Sequence, residues 1–250
     1  MKDSDGAVLH KRTDERRDSW RQKPVLRVLY EDYYDRILSF CADGPILEIG
    51  ASTGGIKTLR PDAVCTDVQV LPWLDSVVDA HCLPFKDQAF SNIIMIDALH
   101  HFESPYVFFK DALRVLPPGG RLVMMEPAIT PVSWIVFNFM HPEPVDLQEN
   151  PLSRRQLSGA KRDPFDDANQ AIPTTLFGRH RRTFEQEFPE FKIIHHQHFC
   201  VLSYLLSGGF RSWSLLPRSA APTFLKVERV LDKILGPFMA FRLLTVLERT

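Results

Sequence analysis

The chain has 250 residues, a formal charge of −1 at pH 7 and 44% hydrophobic residues. That is a folded, globular composition with room for one large domain, and it argues against a disordered chain or a strongly basic nucleic-acid binder. Cys41, Cys65, Cys82 and Cys200 are scattered and form no CxxC pair, so neither a disulfide framework nor a metal site is expected.

Residues 1–19, MKDSDGAVLHKRTDERRDS, are charged and carry no apolar signal core, and read as a flexible leader. Leu26, Leu29, Tyr30, Tyr33, Ile37 and Phe40 then recur at the spacing of an amphipathic helix. Strand signals follow at Pro45–Ile49, Ala63–Val68, Ser76–Ala80 and Asn92–Ile96, the last apolar throughout, as a strand covered on both faces would be. Ser104-Pro105 is a helix start, with serine as N-cap and proline at the first helical position. Pro117-Pro118-Gly119-Gly120 ends that helix, and Arg121–Pro127 is a fifth strand. A polar excursion runs from Pro142 to Arg179, followed by a helix near His180–Phe188 and a strand at Phe191–Phe199. A helix near Thr223–Leu235 and a final antiparallel strand at Arg242–Arg249 complete the chain. This order predicts an α/β fold with a mostly parallel sheet of seven strands and helices on both faces. One domain is expected over 20–250: a binding core at 45–127, an acceptor-side insertion at 128–190, and C-terminal strands and helix at 191–250.

Open parallel sheets bind ligands beyond the carboxyl ends of their strands. Here those ends carry Glu48, Asp67, Asp79 and Asp97, an acid at each of four strands. The first turn reads Gly50-Ala51-Ser52-Thr53-Gly54-Gly55, without the middle glycine of a dinucleotide turn, and only Ile56–Arg60 remain for a helix before Pro61. A pyrophosphate needs a well-formed helix N-terminus. An NAD-type oxidoreductase is therefore the weaker reading. A nucleoside with an ammonium, a ribose diol and an adenine suits the acids better: Glu48 for the ammonium, Asp67 for the diol, Asp79 for the adenine amino group. Gly50 and Gly54 allow close backbone approach.

LEIGASTGG, the acid of CTDV, VDAHCLPF, MIDALHHF and LPPGGRLVMMEP occur in one order between Pro45 and Pro127. In this the chain resembles the class I S-adenosylmethionine-dependent methyltransferases, in the group called methyltransferase type 11. The resemblance implies a Rossmann-like fold and S-adenosyl-L-methionine as cofactor. It also implies Ala80 as a neighbour of adenine, and Ile96 and Asp97 as neighbours of the methionine part. Ser52, where the group has glycine, departs from the pattern. HPEPVD, LSGA, FEQEFPEF and YLLSGGF resemble a bacterial subset near polysaccharide and lipid biosynthesis. The expected reaction is methyl transfer to a small molecule, a sugar or a lipid-linked acceptor, with no nucleic-acid partner. A non-catalytic binding protein on the same fold is the rival outside enzymes.

His100 and His101 are candidate bases, because histidine titrates near neutral pH, though the pair also resembles a family feature that packs behind the cofactor. His141, in the polar cluster His141–Asp146, is the other candidate for base or acceptor binding, against a plain surface turn. His196 and His198 share one strand face and read as surface residues. Arg154-Arg155, Lys161-Arg162 and Arg179–Arg182 are basic clusters, most simply solvated faces. The most apolar run, Pro131–Met140, is about half a membrane span. The protein thus reads as cytoplasmic, with a peripheral membrane contact through the C-terminal helix left open.

Overall fold

The computed structural model describes residues 3–154, 157–158, 163 and 167–250, with side chains from residue 12 onward. Arg155, Lys161 and Arg162 lie outside the described residues. Among the described residues, seven strands form one sheet in the order β3-β2-β1-β4-β5-β7-β6. They are β1 (Ile46–Ile49), β2 (Val64–Asp67), β3 (Ser76–Val77), β4 (Asn92–Ile96), β5 (Arg121–Pro127), β6 (Phe191–Phe199) and β7 (Arg242–Arg249). The first five run parallel, and β7 is antiparallel to both β5 and β6. The chain builds outward from β1 to β3, then crosses back to place β4 on the other side of β1. That reversal opens a crevice above β1 and β4.

Helices cover both faces. They are α1 (Asp3–Gln22), α2 (Pro24–Leu38), α3 (Pro105–Val115), α4 (Pro131–Met140), α5 (Ile172–Phe177), α6 (Arg181–Glu187), α7 (Ser203–Ser207) and α8 (Ala221–Met239). Local chemistry sets several starts. Ser104 accepts from the Val107 N–H ahead of Pro105, and Thr130 and Ser133 form a reciprocal capping box around Pro131. One core packs Phe108, Phe109, Leu176, Phe177, Phe184 and Phe188 of α3, α5 and α6 on the sheet. The other packs α2 and α8 on the opposite face through Leu26, Leu29, Tyr33, Ile37 and Leu225. β4 is buried along its whole length, which explains its unbroken apolar run.

Two segments differ from the sequence-based expectation. The leader over residues 1–19 is instead helical from Asp3, as part of α1. Its sequence has no apolar stripe at helical spacing, so periodicity does not mark it. Long-range contacts hold it in place: the Arg17 guanidinium lies 3.7 Å over the Trp73 ring, Thr13 donates to Gln69, and Trp20 packs edge-on against Tyr30. The excursion after Pro142 is not wholly irregular either, since α5 forms inside it and packs in the core.

The turn after β1 leads into a single 3-10 turn, Gly55–Thr58, as the short space before Pro61 requires. Beyond β4 the backbone of Asp97 takes φ +54°, rare for a residue with a side chain. Its carboxylate meets Arg242, at the start of β7, in a two-pronged ion pair of 2.6 and 2.9 Å. The guanidinium lies between the rings of Tyr33 and Tyr204, at 4.9 and 4.8 Å. Burial would raise the Asp97 pKa, but Arg242 outweighs it and holds the carboxyl below its ordinary value.

Arg242→Met leaves the partly exposed Asp97 carboxylate without its cation and should lower the unfolding free energy by about 1–3 kcal/mol, measured by urea denaturation at pH 7. Adding Asp97→Asn should restore most of that loss. Because the folded pKa of Asp97 is depressed, its contribution is present above the ordinary aspartate pKa and disappears as pH falls below about 4. The gap between wild type and Arg242→Met should therefore close on acidification.

Candidate functional site

The crevice above β1 and β4 opens into a cavity of about 580 Å³, within the range of small-molecule and cofactor sites. Glu48, Gly50, Ser52, Ile96 and Asp97 form one wall. Val136, Phe137, Met140 and His141 of the α4 region face them, together with Trp213 and Phe241. Arg12, Arg16 and Ser19 of α1 also line the cavity.

Glu48 lies on the inner face of β1 and is 1% exposed. Tyr34 of α2 donates to its carboxylate at 2.8 Å, and the Cys65 thiol at 3.6 Å. Burial pushes its pKa up to about 7 despite these donors. The turn above it is built for close approach. Gly50 has φ +71°, and a Cβ there would come within 2.8 Å of the Ala98 Cβ. Ser52 takes φ +40°, a left-handed conformation that glycine adopts more readily. Its carbonyl accepts from the Trp73 indole N–H at 2.7 Å, which fastens the turn to the loop after β2.

Gly54, Asp67, Asp79 and Ala80 do not line this cavity. Asp67 sits against the turn, where its carboxylate accepts from the backbone N–H groups of Ser52 (3.1 Å) and Gln69 (3.0 Å). A carboxylate has about four acceptor positions, so capacity remains for a diol. The Asp79 carboxylate, with its side chain 59% exposed, engages the backbone and ring of His81. Ala80 is buried in the core beside Val78 and Leu83.

Next to Asp97 the rim has a polar centre. Glu126, at the end of β5, accepts from the Ala98 and Leu99 N–H groups with one oxygen and from His100 Nδ1 with the other, at 2.8–2.9 Å. His100 Nε2 lies 3.3 Å from Glu143, which also accepts from Gln170. Burial opposes charge on His100, but the two carboxylates outweigh it and push its pKa up to about 10. The His101 ring lies tilted against His100, with ring centroids 4.1 Å apart. Its burial, then the charge of His100, push its pKa down to about 3, which makes it a weak proton acceptor. His141 Nδ1 accepts from the Glu143 N–H at 3.3 Å. A neutral ring with Nδ1 as acceptor carries its proton on Nε2 and so offers a donor there.

The structure thus gathers Glu48, Gly50, Ser52, Ile96, Asp97, His101 and His141 around one cavity, along with several residues that sequence reasoning missed. Glu126 follows the same rule of an acid at a strand end that picked out the first four. Arg242 could have been found from topology, because an antiparallel β7 begins at the rim where the parallel strands end. Tyr34 carried no local signal.

Residues 54–124 match the methyltransferase domain family. A demethylmenaquinone methyltransferase of Tropheryma whipplei is 31% identical over 126 residues, covering 42% of this chain and 53% of that protein. Phthiotriol/phenolphthiotriol dimycocerosates methyltransferase 1 of Mycobacterium ulcerans is 30% identical over 133 residues, 45% of each chain. The chain thus spans about half the length of the curated relatives it matches. Among solved structures, a SAM-dependent methyltransferase from Archaeoglobus fulgidus superposes with a TM-score of 0.52 at 12% identity, over 90% of this chain and 94% of the other. The PH0226 protein of Pyrococcus horikoshii gives 0.50 at 16% identity, over 90% and 91%; both structural likenesses concern the fold. Residues 54–124 thus resemble a methyltransferase domain, and the seven-stranded sheet, mostly parallel with an antiparallel end, has the Rossmann-like fold of the class I methyltransferases.

Proposed function

We propose that this protein moves the methyl group of S-adenosyl-L-methionine to an apolar, lipid-linked acceptor. The observation that carries the reading is the division of one cavity between a wall of glycines and acids, Glu48 to Asp97, and an apolar wall from α4. The buried Glu48 and the close-approach turn fit a cationic nucleoside: a carboxylate for the ammonium, with backbone rather than side chain against the ligand. Asp67 would take the ribose diol, Asp79 and Ala80 the adenine, and Ile96 and Asp97 the methionine part. The sulfonium supplies an already activated methyl group. The chain's own work is then to align a nucleophile behind that carbon and to exclude water. His101 and His141 would flank the acceptor, His141 as a hydrogen-bond donor.

An apolar acceptor agrees with the relatives named for demethylmenaquinone and for phthiotriol/phenolphthiotriol dimycocerosates. It also agrees with the outer surface beside the cavity. α8 turns Val227, Val230, Ile234 and Phe238 to solvent, each more than half exposed, with exposed Lys226 and Lys233 among them. Its acids Glu228 and Asp232 point inward. α4, which packs beside α8, exposes Ile135, Phe139 and Met140. Among the described residues no helix is long and apolar enough to cross a membrane. This face is suited to lying on an anionic one, with the apolar stripe in the interface and the lysines toward the headgroups.

Calorimetric titration with S-adenosylhomocysteine and with NAD tests the cofactor. The first should bind and the second should not; the reverse would sink the reading. Glu48→Gln should weaken S-adenosylhomocysteine by roughly ten- to a hundredfold, and Ser52→Gly should leave it within about threefold, since glycine suits that φ.

The raised Glu48 pKa gives a pH dependence. With a folded pKa near 7, the free protein holds a proton there that an ammonium ligand must displace. Affinity should rise about tenfold per unit up to pH 7 and level off above it, while Glu48→Gln should be flat between pH 6 and 8. The stability effect has the opposite sign. A raised acid pKa costs stability as pH climbs from the ordinary carboxylate value to 7, so Glu48→Gln should gain on wild type across that window.

Sedimentation with phosphatidylglycerol and with phosphatidylcholine vesicles tests the surface. Wild type should pellet with the anionic vesicles, and Ile234→Glu with Phe238→Glu should cut that binding at least tenfold without changing S-adenosylhomocysteine affinity. Equal recovery of wild type and variant would remove the membrane part of the proposal.

A further inference from the structure

Among the described residues, one group of histidine, cysteine and carboxylate side chains converges as metal ligands do. His100, His101 and Glu143 each offer a ligand atom, and these atoms lie within 4.8 Å of one another. Three features of the surroundings belong to a prepared site. His100 Nδ1 is held by the Glu126 carboxylate, which turns Nε2 toward Glu143; a carboxylate behind a ligating imidazole is the usual outer support of a metal-bound histidine. Gln170 donates to Glu143 and orients it. His101 Nδ1 is buried with no hydrogen-bond partner, an uncommon state for a buried polar atom.

One distance is already that of a bound pair, and the whole set, within 4.8 Å, would draw together around an ion. His100 Nε2 and Glu143 Oε2 are 3.3 Å apart, close to the separation of about 3.3–3.5 Å between two ligand atoms on one tetrahedral ion with bonds of about 2.0–2.2 Å. Charge also agrees. Glu126 and Glu143 bring two negative charges into a nearly dry wall, and a divalent ion in place of the Nε2 proton would neutralise both with His100 neutral. All three residues line the cavity, so a three-ligand set of two imidazoles and one carboxylate leaves a position open toward the acceptor, as catalytic rather than structural sites do.

We propose that His100, His101 and Glu143 bind a divalent ion of the zinc class and that its open position holds the acceptor's oxygen. The binding stands on the geometry above; the role rests on the methyl-transfer reading. An acceptor hydroxyl bound there loses its proton to solvent at lower pH than it would free. Its oxygen then forms the bond to the methyl carbon as the carbon–sulfur bond breaks, and the electron pair leaves on sulfur as the neutral thioether.

The test starts from chelator-treated protein, titrated by calorimetry with Zn²⁺ alone and followed with Co²⁺ by visible absorption. One equivalent should bind, with a ligand-field band of low coordination number. His101→Ala and Glu143→Gln should each weaken Zn²⁺ at least a hundredfold. His196→Ala with His198→Ala, on the far strand, should leave it unchanged. Zn²⁺ binding lost only in the His196/His198 variant, or unaffected by either cluster substitution, overturns the site. Absence of stoichiometric binding does the same, and leaves His100 as a protonated link between two carboxylates. S-adenosylhomocysteine affinity and melting temperature of each variant are measured in parallel. A metal failure with intact S-adenosylhomocysteine binding rejects this site alone. Zn²⁺ binding without S-adenosylhomocysteine binding keeps the site and rejects the methyl-transfer role. A variant that loses both together with its melting transition is replaced by Glu143→Ala before it is read.

Discussion

The ion pair between Asp97 and Arg242 ties together what the chain builds separately. Asp97 ends the central parallel strand, and Arg242 begins the antiparallel strand 145 residues later. Their two hydrogen bonds fix the rim of the sheet where the two halves meet. A pair of this kind, with the arginine buried and the aspartate partly exposed, adds little net stability over an apolar packing, but it tolerates few alternative arrangements. The pair also holds Asp97 in its left-handed conformation. The backbone then turns sharply from β4 toward His100 and His101. Without that turn, Glu126 could not cap the Ala98 and Leu99 N–H groups, and the polar wall of the cavity would have no foundation.

The cavity is polarised as a result. On one side burial raises the pKa of a carboxylate; on the other, two carboxylates are packed against His100. Tyr34 and Cys65 donate to Glu48 from beneath, so its unligated state is not an orphaned charge. Such an arrangement stores a poorly solvated acid until a cation arrives. The apolar residues of α4 lie between these poles and the outside. A ligand entering from that side meets hydrocarbon first and charge last.

Much of the fold was legible in the sequence because the signals were local. Asn92–Ile96 is apolar on both faces since β4 lies at the sheet centre, and Ser104-Pro105 starts α3 through its own N-cap. The acids at strand ends were visible for the same reason, although Asp79 turns its carboxylate to His81 rather than the cavity. What escaped depends on contacts between distant segments. The charged N-terminal segment carries no apolar stripe, and its helix is held by Arg17 on Trp73 and Trp20 on Tyr30. Tyr34 looks like one more aromatic of an amphipathic helix until the fold sets it under Glu48. The polar run His141–Asp146 was visible in the sequence, but the partner of its Glu143, Gln170 just before α5, was not.

The bond from Trp73 to the Ser52 carbonyl has a consequence for how the protein can be watched. The chain has four tryptophans, and all lie around the cavity or its covering elements. Trp73 is fastened to the turn, Trp20 belongs to α1 and packs on Tyr30, Trp213 lines the cavity and Trp134 stands on α4. The indole of Trp73 has an arginine on its face and a backbone carbonyl on its N–H, so its emission is set by the position of the turn itself. A ligand that moves the turn would therefore change the surroundings of Trp73, a residue outside the pocket but bonded to its wall.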